Sequence, residues 1–358
     1  MKREFVSRLG SMSQLMDQAW DTDSILSIEF EPLSITDHHV KFAFAALRKL
    51  KHHITIAPLS RFFDQAVKAV GDNDARAKAA KEFGEAVKAT VAFSMIWRGA
   101  HGSTENIDGI YRDILRQGIE GEDISPLCAR PEKGVGVVSL ANYKRALRHH
   151  LTIKKIADRD AWAKRVSLVQ IYKAPNVARF LLLCACHDSV PDKLVPGLIK
   201  RGRPGVNIMI NIDILVKDEY FSVEHVAPQS QSQEWHPTIT EEPGIVQTLG
   251  NLTLLPQDIN SYLGNREWKQ KKAIYALLAC EDQEAFDAMT TDLNQNGFVL
   301  SQTAEEILRN ASHLSLCKSI SSFEAEWDVN FIKSRSVRIA ELAWDTLWPW
   351  LQSDDPQT

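Results

Sequence analysis

The residues of this sequence best suited to chemistry lie between positions 220 and 275. Glu224 and His225 are adjacent, after Phe221-Ser222-Val223 and before Val226-Ala227-Pro228-Gln229. Gly250-Asn251-Leu252-Thr253-Leu254-Leu255 comes next, then Asn260 and Asn265. A carboxylate, an imidazole and several amides in that order suit phosphodiester hydrolysis. Histidine, with an ordinary pKa near ~6.5, can take a proton from water at neutral pH. The charge that develops on the phosphate and the leaving oxygen calls for a cation, usually a metal with open coordination positions. Hard divalent ions prefer oxygen ligands, and Glu224 and Asn260 could supply one carboxylate and one amide oxygen. Plainer readings stand beside these. Glu224-His225 also reads as a strand-end pair satisfied by backbone hydrogen bonds, Gly250-Asn251 as ordinary turn chemistry, and Asn260 as a helix or loop cap.

The elements that must position these groups follow from local pattern. Phe221–Val226 and Leu252–Leu255 read as short strands, the second bounded by Gly250-Asn251 and Pro256. A helix is expected from near Asn265 to about Ala279, with Trp268, Tyr275 and Leu278 as its apolar stripe. Arg266, Lys269 and Lys272 fall on another face. Neighbours on a strand point to opposite faces, so one site can use both Glu224 and His225 only where the strand ends or twists. Pro228 favours such an end. The order is strand, long loop, strand, polar loop, helix.

This arrangement resembles the HNH (ββα-metal) nuclease domain of the GmrSD-type modification-dependent restriction endonucleases, which includes the C-terminal nickase region of SspE-like proteins. The resemblance rests on Val223 to Gln229, Trp235, Leu249 to Leu255, Asn260, Gly264-Asn265, and Lys271-Lys272 through Tyr275. It implies that His225 is the general base and that Glu224 holds the metal. Asn251 would brace the loop around the histidine. Asn260, nine positions on, would be the last metal ligand. Asn265 and Lys272 would touch substrate or phosphate, and Arg266, Lys269, Arg201 and Arg203 are further candidates for nucleic-acid contact. The implied cofactor is a divalent metal, Mg or Mn, and the implied substrate is double-stranded DNA of phage or other foreign origin. One such site cuts one strand at a time, so a nick is the simplest product. Relatives also carry a nucleotide-dependent sensor with an Asp-Gly-Gln-Gln-Arg-like motif. Neither that motif nor a Walker-type loop occurs in these residues, so a separate sensor domain or subunit is an expected partner. The alternative is a catalytically degenerate module that binds DNA or protein.

Outside this region the first two hundred residues read as helices. Thr36 and Asp37 are N-cap candidates for a helix through Leu50, and further helices are expected near 57–70, 74–97, 107–117, 140–151 and 176–187. Gly71-Asp72-Asn73 and Pro131-Glu132-Lys133-Gly134 mark turns. After the basic connector Lys200 to Gly205, the alternating Val206, Ile208, Ile210, Ile212 and Ile214 suggest an extended segment. Thr303 with Glu306 forms a capping-box pattern. Phe323 to Trp350 is expected to be helical, its tryptophans packing the C-terminal end onto a core. Eight Lys and Arg between 144 and 165 form either a solvated face or a phosphate-tracking surface. The pairs His38-His39, His52-His53 and His149-His150 chelate poorly as helix neighbours and read as surface residues. Five cysteines, Cys128, Cys184, Cys186, Cys280 and Cys317, contain no Cys-x-x-Cys pair, and Cys184 and Cys186 read as buried small hydrophobes.

In 358 residues the net charge of -4 excludes a globally basic nucleic-acid binder but not a local basic surface. Hydrophobic residues at 44% and charged residues at 25% argue against wholesale disorder. No apolar run approaches the ~20 residues that span a bilayer, and the N-terminal residues lack a signal-peptide pattern, so a cytoplasmic protein is expected. The expected fold is mainly α: a helical domain at 1–199, an embedded ββα-metal core at 200–285, and a helical C-terminal extension at 286–358.

Overall fold

A computed structural model describes residues 2–69, 73–119, 121, 124–127, 138–230, 235–311 and 314–352. Cys128, the Pro131–Gly134 turn and the Gly71-Asp72 helix end lie outside the described residues. Those described form sixteen α-helices and four short strands, so the fold is mainly α. By its contacts the chain divides into two compact units, residues 1–162 with 210–216 and 345–358, and residues 163–209 with 217–344. The spans 217–285 and 286–344 share one unit.

The first unit is built on α1 (Lys2–Leu15), α2 (His38–Lys49), α3 (Ile56–Val67), α4 (Asn73–His101), α5 (Ile107–Arg116) and α6 (Leu140–Ile153). From Phe83 to Ala100, α4 is almost continuously buried, as a small-residue, apolar helix must be when other helices cover it. Gly84 permits one of these contacts, since a Cβ there would lie 2.9 Å from Val40 Cγ2 on α2. Asp37 caps α2 by accepting the His39 N–H at 2.9 Å, as the sequence suggested. Three cations of the basic stretch find partners within this unit. Lys144 meets Glu85 at 3.1 Å and the Gln352 carbonyl at 3.0 Å, Arg148 donates to the Leu351 carbonyl, and Arg159 pairs with Asp345. Of these three cations Lys144 is buried, whereas the Arg159–Asp345 pair lies at the surface. His52 also departs from expectation. It is buried, with its ring 3.3 Å from Ser94 Oγ and 3.5 Å from Asp108.

The second unit begins within α7 (Arg159–Val166) and continues through α8 (Pro175–Cys186), β1 (Ser189–Pro191) and β2 (Ile199–Arg201). β1 and β2 pair antiparallel. The segment expected to be extended becomes a loop followed by α9 (Ile212–Val216), which belongs to the first unit. Asn211 Oδ1 accepts the Asp213 N–H at 2.8 Å, so a local cap wins where β-branched residues find no partner strand. Next come β3 (Ser222–His225), α10 (Pro237–Glu241), β4 (Leu252–Leu255), α11 (Gln257–Leu263), α12 (Trp268–Leu278), α13 (Gln283–Gln295), α14 (Gln302–Asn310), α15 (Cys317–Ser321) and α16 (Val329–Leu351), whose residues from Asp345 on belong to the first unit. The cap of α14 is Ser301, which accepts the Ala304 N–H at 3.2 Å, so Thr303 lies inside the helix. Trp268 and Trp327, with ring centroids 5.0 Å apart, anchor the unit's core with Trp235, Ile274 and Tyr275. In α16, Trp344 and Trp350 are buried, the packing role expected of that tail. Cys184 is buried as well.

Candidate active site

β3 and β4 pair antiparallel, with Glu224 opposite Thr253 and His225 opposite Leu252. The apolar, β-branched run Val223/Leu252–Leu255 makes the ladder, and His225 stands at its last rung. One step beyond, the Val226 N–H donates to the Asn251 carbonyl at 2.9 Å, so the connection between the strands is closed at its neck.

Asn251 holds that neck. Its Nδ2 donates to the carbonyls of Ala227 (2.7 Å) and Val246 (3.0 Å), and its Oδ1 accepts from the Ala227 N–H (2.8 Å) and Trp327 Nε1 (3.1 Å). The side chain is wholly buried, so water does not substitute for these bonds. An amide that both donates and accepts is required, since one atom meets two carbonyls and the other two N–H groups. This is the bracing geometry; it leaves Asn251 no contact with a reacting group. Arg335 of α16, itself buried, adds bonds to the Gly250 and Leu252 carbonyls on either side.

His225 is 7% exposed. Tyr172 lies edge-on against its ring, centroids 4.2 Å apart. Gln247 hydrogen-bonds the ring, and Gln247 Nε2 donates to Gln229 Oε1 at 3.1 Å. Nε2 is buried without a hydrogen-bond partner. Burial first, and the Lys271 ammonium second, lower the His225 pKa to about 4, so the ring is neutral at neutral pH. A cavity of about 20 Å³ lies among Ala227, Pro228, Trp235 and Val246, and His225 does not line it.

Glu224 points to the opposite face, as strand alternation requires. There Lys271 of α12 donates to its Oε1 at 2.6 Å and to the His225 carbonyl at 2.8 Å. Both side chains are buried, at 7% and 1% exposure. Burial raises the Glu224 carboxyl and lowers the Lys271 ammonium, while each charge holds the other ionised. Asn260 of α11 turns its Nδ2 to Ser222 Oγ (2.8 Å) and the Val223 carbonyl (3.1 Å), on the same strand. The structure thus gathers Glu224, His225, Asn251 and Asn260 around β3.

The flanking basic residues are placed differently from one another. Arg201 donates to the His187 and Leu342 carbonyls, a structural use rather than a phosphate contact. Arg266 donates to the Tyr262 and Leu263 carbonyls at the end of α11 and lies over the Tyr262 ring. Lys272 pairs with Glu324 at 3.0 Å. Arg203, Asn265 and Lys269 are exposed. Three groups at the site escaped the sequence reading. Tyr172 and Gln247 carried no motif. Lys271 lies three residues after Trp268 and four before Tyr275, and Lys272 four and three, so helical spacing did not single out Lys271.

Among the described residues no three His, Cys, Asp or Glu side chains form a metal-binding group. The oxygen donors at the strand end are the Glu224 carboxylate, already paired with the Lys271 ammonium, and the Asn260 amide.

A strand-end histidine, a buried carboxylate and a clamping asparagine stand on a two-strand-and-helix frame. Residues 207–342, which hold Glu224, His225, Asn251 and Asn260, match the family described as GmrSD restriction endonucleases, C-terminal domain. That stretch is similar to the C-terminal domain of GmrSD restriction endonucleases, the family the residues around His225 resemble. Tyr172 lies outside the matched residues. No curated protein matches the chain. No described helix is long and apolar enough to cross a membrane.

Proposed function

We propose that this chain is a metal-dependent HNH endonuclease that nicks double-stranded DNA in the restriction of phage or other foreign DNA. The observation that carries this reading is His225 at the end of β3, neutral, oriented through Gln247, with Nε2 unpartnered, inside the segment similar to the GmrSD family. In the reaction Nε2 takes a proton from the attacking water. Asn251 keeps the strand end in place, and Gln247 holds the ring. Glu224 and the Asn260 amide oxygen would hold Mg²⁺ or Mn²⁺, which when bound stabilises the charge on the departing oxygen. Arg203, Asn265 and Lys269, all exposed, are the groups placed to meet flanking phosphates. A separate sensor domain or subunit selecting the DNA belongs to the same proposal.

The test is relaxation of supercoiled plasmid with Mg²⁺ or Mn²⁺. Wild type is expected to nick, and His225→Ala to lose about 10²-fold or more. Equal rates for the two would refute the reading. One observation favours a second reading, a catalytically degenerate DNA- or protein-binding module: His225 is covered by Tyr172 and scarcely exposed. A chain that shifts the same plasmid on a gel without nicking it would establish that module.

A further inference from the structure

Tyr172 reaches the His225 ring from outside the matched residues 207–342. It stands in a short 3₁₀ turn, Ile171–Lys173, just before α8. Pro175 opens α8, and a residue before proline is kept out of the helical region, so the turn stands apart from the helix. Ile171 anchors the turn by burial. Beside it, Gln170 lies flush on Gly244, where a Cβ would come 2.5 Å from Gln170 Nε2. Gly244 belongs to the turn Pro243–Gln247, which ends in the glutamine bonded to His225. The two turns that hold the His225 ring are thus packed on each other. We propose that Tyr172 is a positioning residue for the hydrolytic reaction, its ring fixing the plane of the His225 imidazole. This rests on the reading of His225 as the general base.

The outer torsion of a histidine joins an sp³ to an sp² carbon, and its wells are broad, so the backbone of β3 does not set the ring plane. The hydrogen bond with Gln247 constrains one point of the ring and leaves it free to tilt about that point. Tyr172 supplies the second constraint. Its ring stands at 73° to the imidazole with centroids 4.2 Å apart, closer than the ~4.5–7 Å usual between aromatic rings. A hydrogen bond and a perpendicular ring together leave the imidazole one plane. A general base needs that, because its nitrogen must point at the water, and a displacement of about 1 Å costs up to about 10²-fold in rate. The contact is between rings, so the Tyr172 hydroxyl is not required for it. A side chain that merely covered the base would act the other way, and its removal would speed the reaction.

The test is the kinetics of plasmid nicking by the full chain. Tyr172→Leu, which keeps apolar bulk but not the flat ring, is expected to lower kcat about tenfold or more while KM for plasmid stays within about twofold. Tyr172→Phe, which keeps the ring, is expected to recover most of that loss. A leucine variant as fast as wild type or faster overturns the proposal, and so does a phenylalanine variant as slow as leucine. A measurement on wild type does not depend on the folding of any variant: in a chain labelled at its aromatic residues, NMR should show dipolar cross-peaks between the ring protons of Tyr172 and His225. Their absence overturns the proposal equally. Wild type that nicks plasmid while these expectations fail defeats this inference alone. Wild type indistinguishable from His225→Ala defeats the nuclease reading, and this inference with it.

Discussion

Asn251→Ala tests how the site is held together. The substitution removes an amide that is 0% exposed and leaves four groups without their partner. These are the N–H and C=O of Ala227, the C=O of Val246 and Nε1 of Trp327. A buried polar group stripped of its partner destabilises by about 1–3 kcal/mol. The carbonyls keep a second lone pair, and the small void admits some relaxation, so the four contributions do not add in full. A loss of roughly 4–6 kcal/mol is expected, well above the ~1 kcal/mol of an ordinary substitution. Asn251→Asp sharpens the test. It is nearly isosteric and retains an oxygen for the Ala227 N–H and Trp327, but it sets an anionic oxygen against the Ala227 and Val246 carbonyls. It should therefore be at least as damaging as alanine, the reverse of what shape alone would give. Urea denaturation followed by tryptophan fluorescence, with Trp327 as a reporter beside the substitution, measures both. A loss under about 1 kcal/mol in Asn251→Ala, or an aspartate variant clearly milder than alanine, would refute the reasoning.

Two further outcomes follow from the geometry. A Cβ on Gly250 would lie 1.9 Å from the Ile332 carbonyl and 2.6 Å from the Ser336 nitrogen, both backbone atoms of α16. Gly250→Ala should therefore destabilise by about 3 kcal/mol or more, and a melting temperature within a degree or two of wild type would contradict this. Burial holds His52 and His225 at about 4, so in the folded chain they stay neutral well below their ordinary pKa. The unfolded chain binds these protons first as pH falls. Their contribution is complete above pH ~6.5 and is lost progressively towards pH ~4, each by on the order of 3 kcal/mol. Denaturation midpoints at pH 7.5, 6 and 5 check it, and equal stability at 7.5 and 5 would refute it.

Much of the local structure was legible in the residues. The Asp37 cap, the limits of α5, α6 and α8 to within about two residues, and the Leu252–Leu255 strand follow from caps, periodicity and turn residues, which act over a few positions. The errors share a cause. The alternating isoleucines before residue 214 had no strand to pair with. His52 looked like a surface residue until Ser94 and Asp108 came beside its ring. In each case a partner distant in sequence decided the outcome.

The sequence alone determined which atoms are available for chemistry: an imidazole at the end of a strand, a carboxylate beside it, and an asparagine at the neck of the following turn. Chain-local rules suffice for that, because strand alternation and turn preference depend only on neighbours. Which of those atoms are free, and which are already engaged, was decided by tertiary structure. Lys271 reaches Glu224 from another helix, Trp327 and Arg335 close around the Asn251 turn from the far end of the unit, and Tyr172 covers His225 from before the matched segment. Charge balance and burial depend on every group within a few ångströms, however far away it lies along the chain.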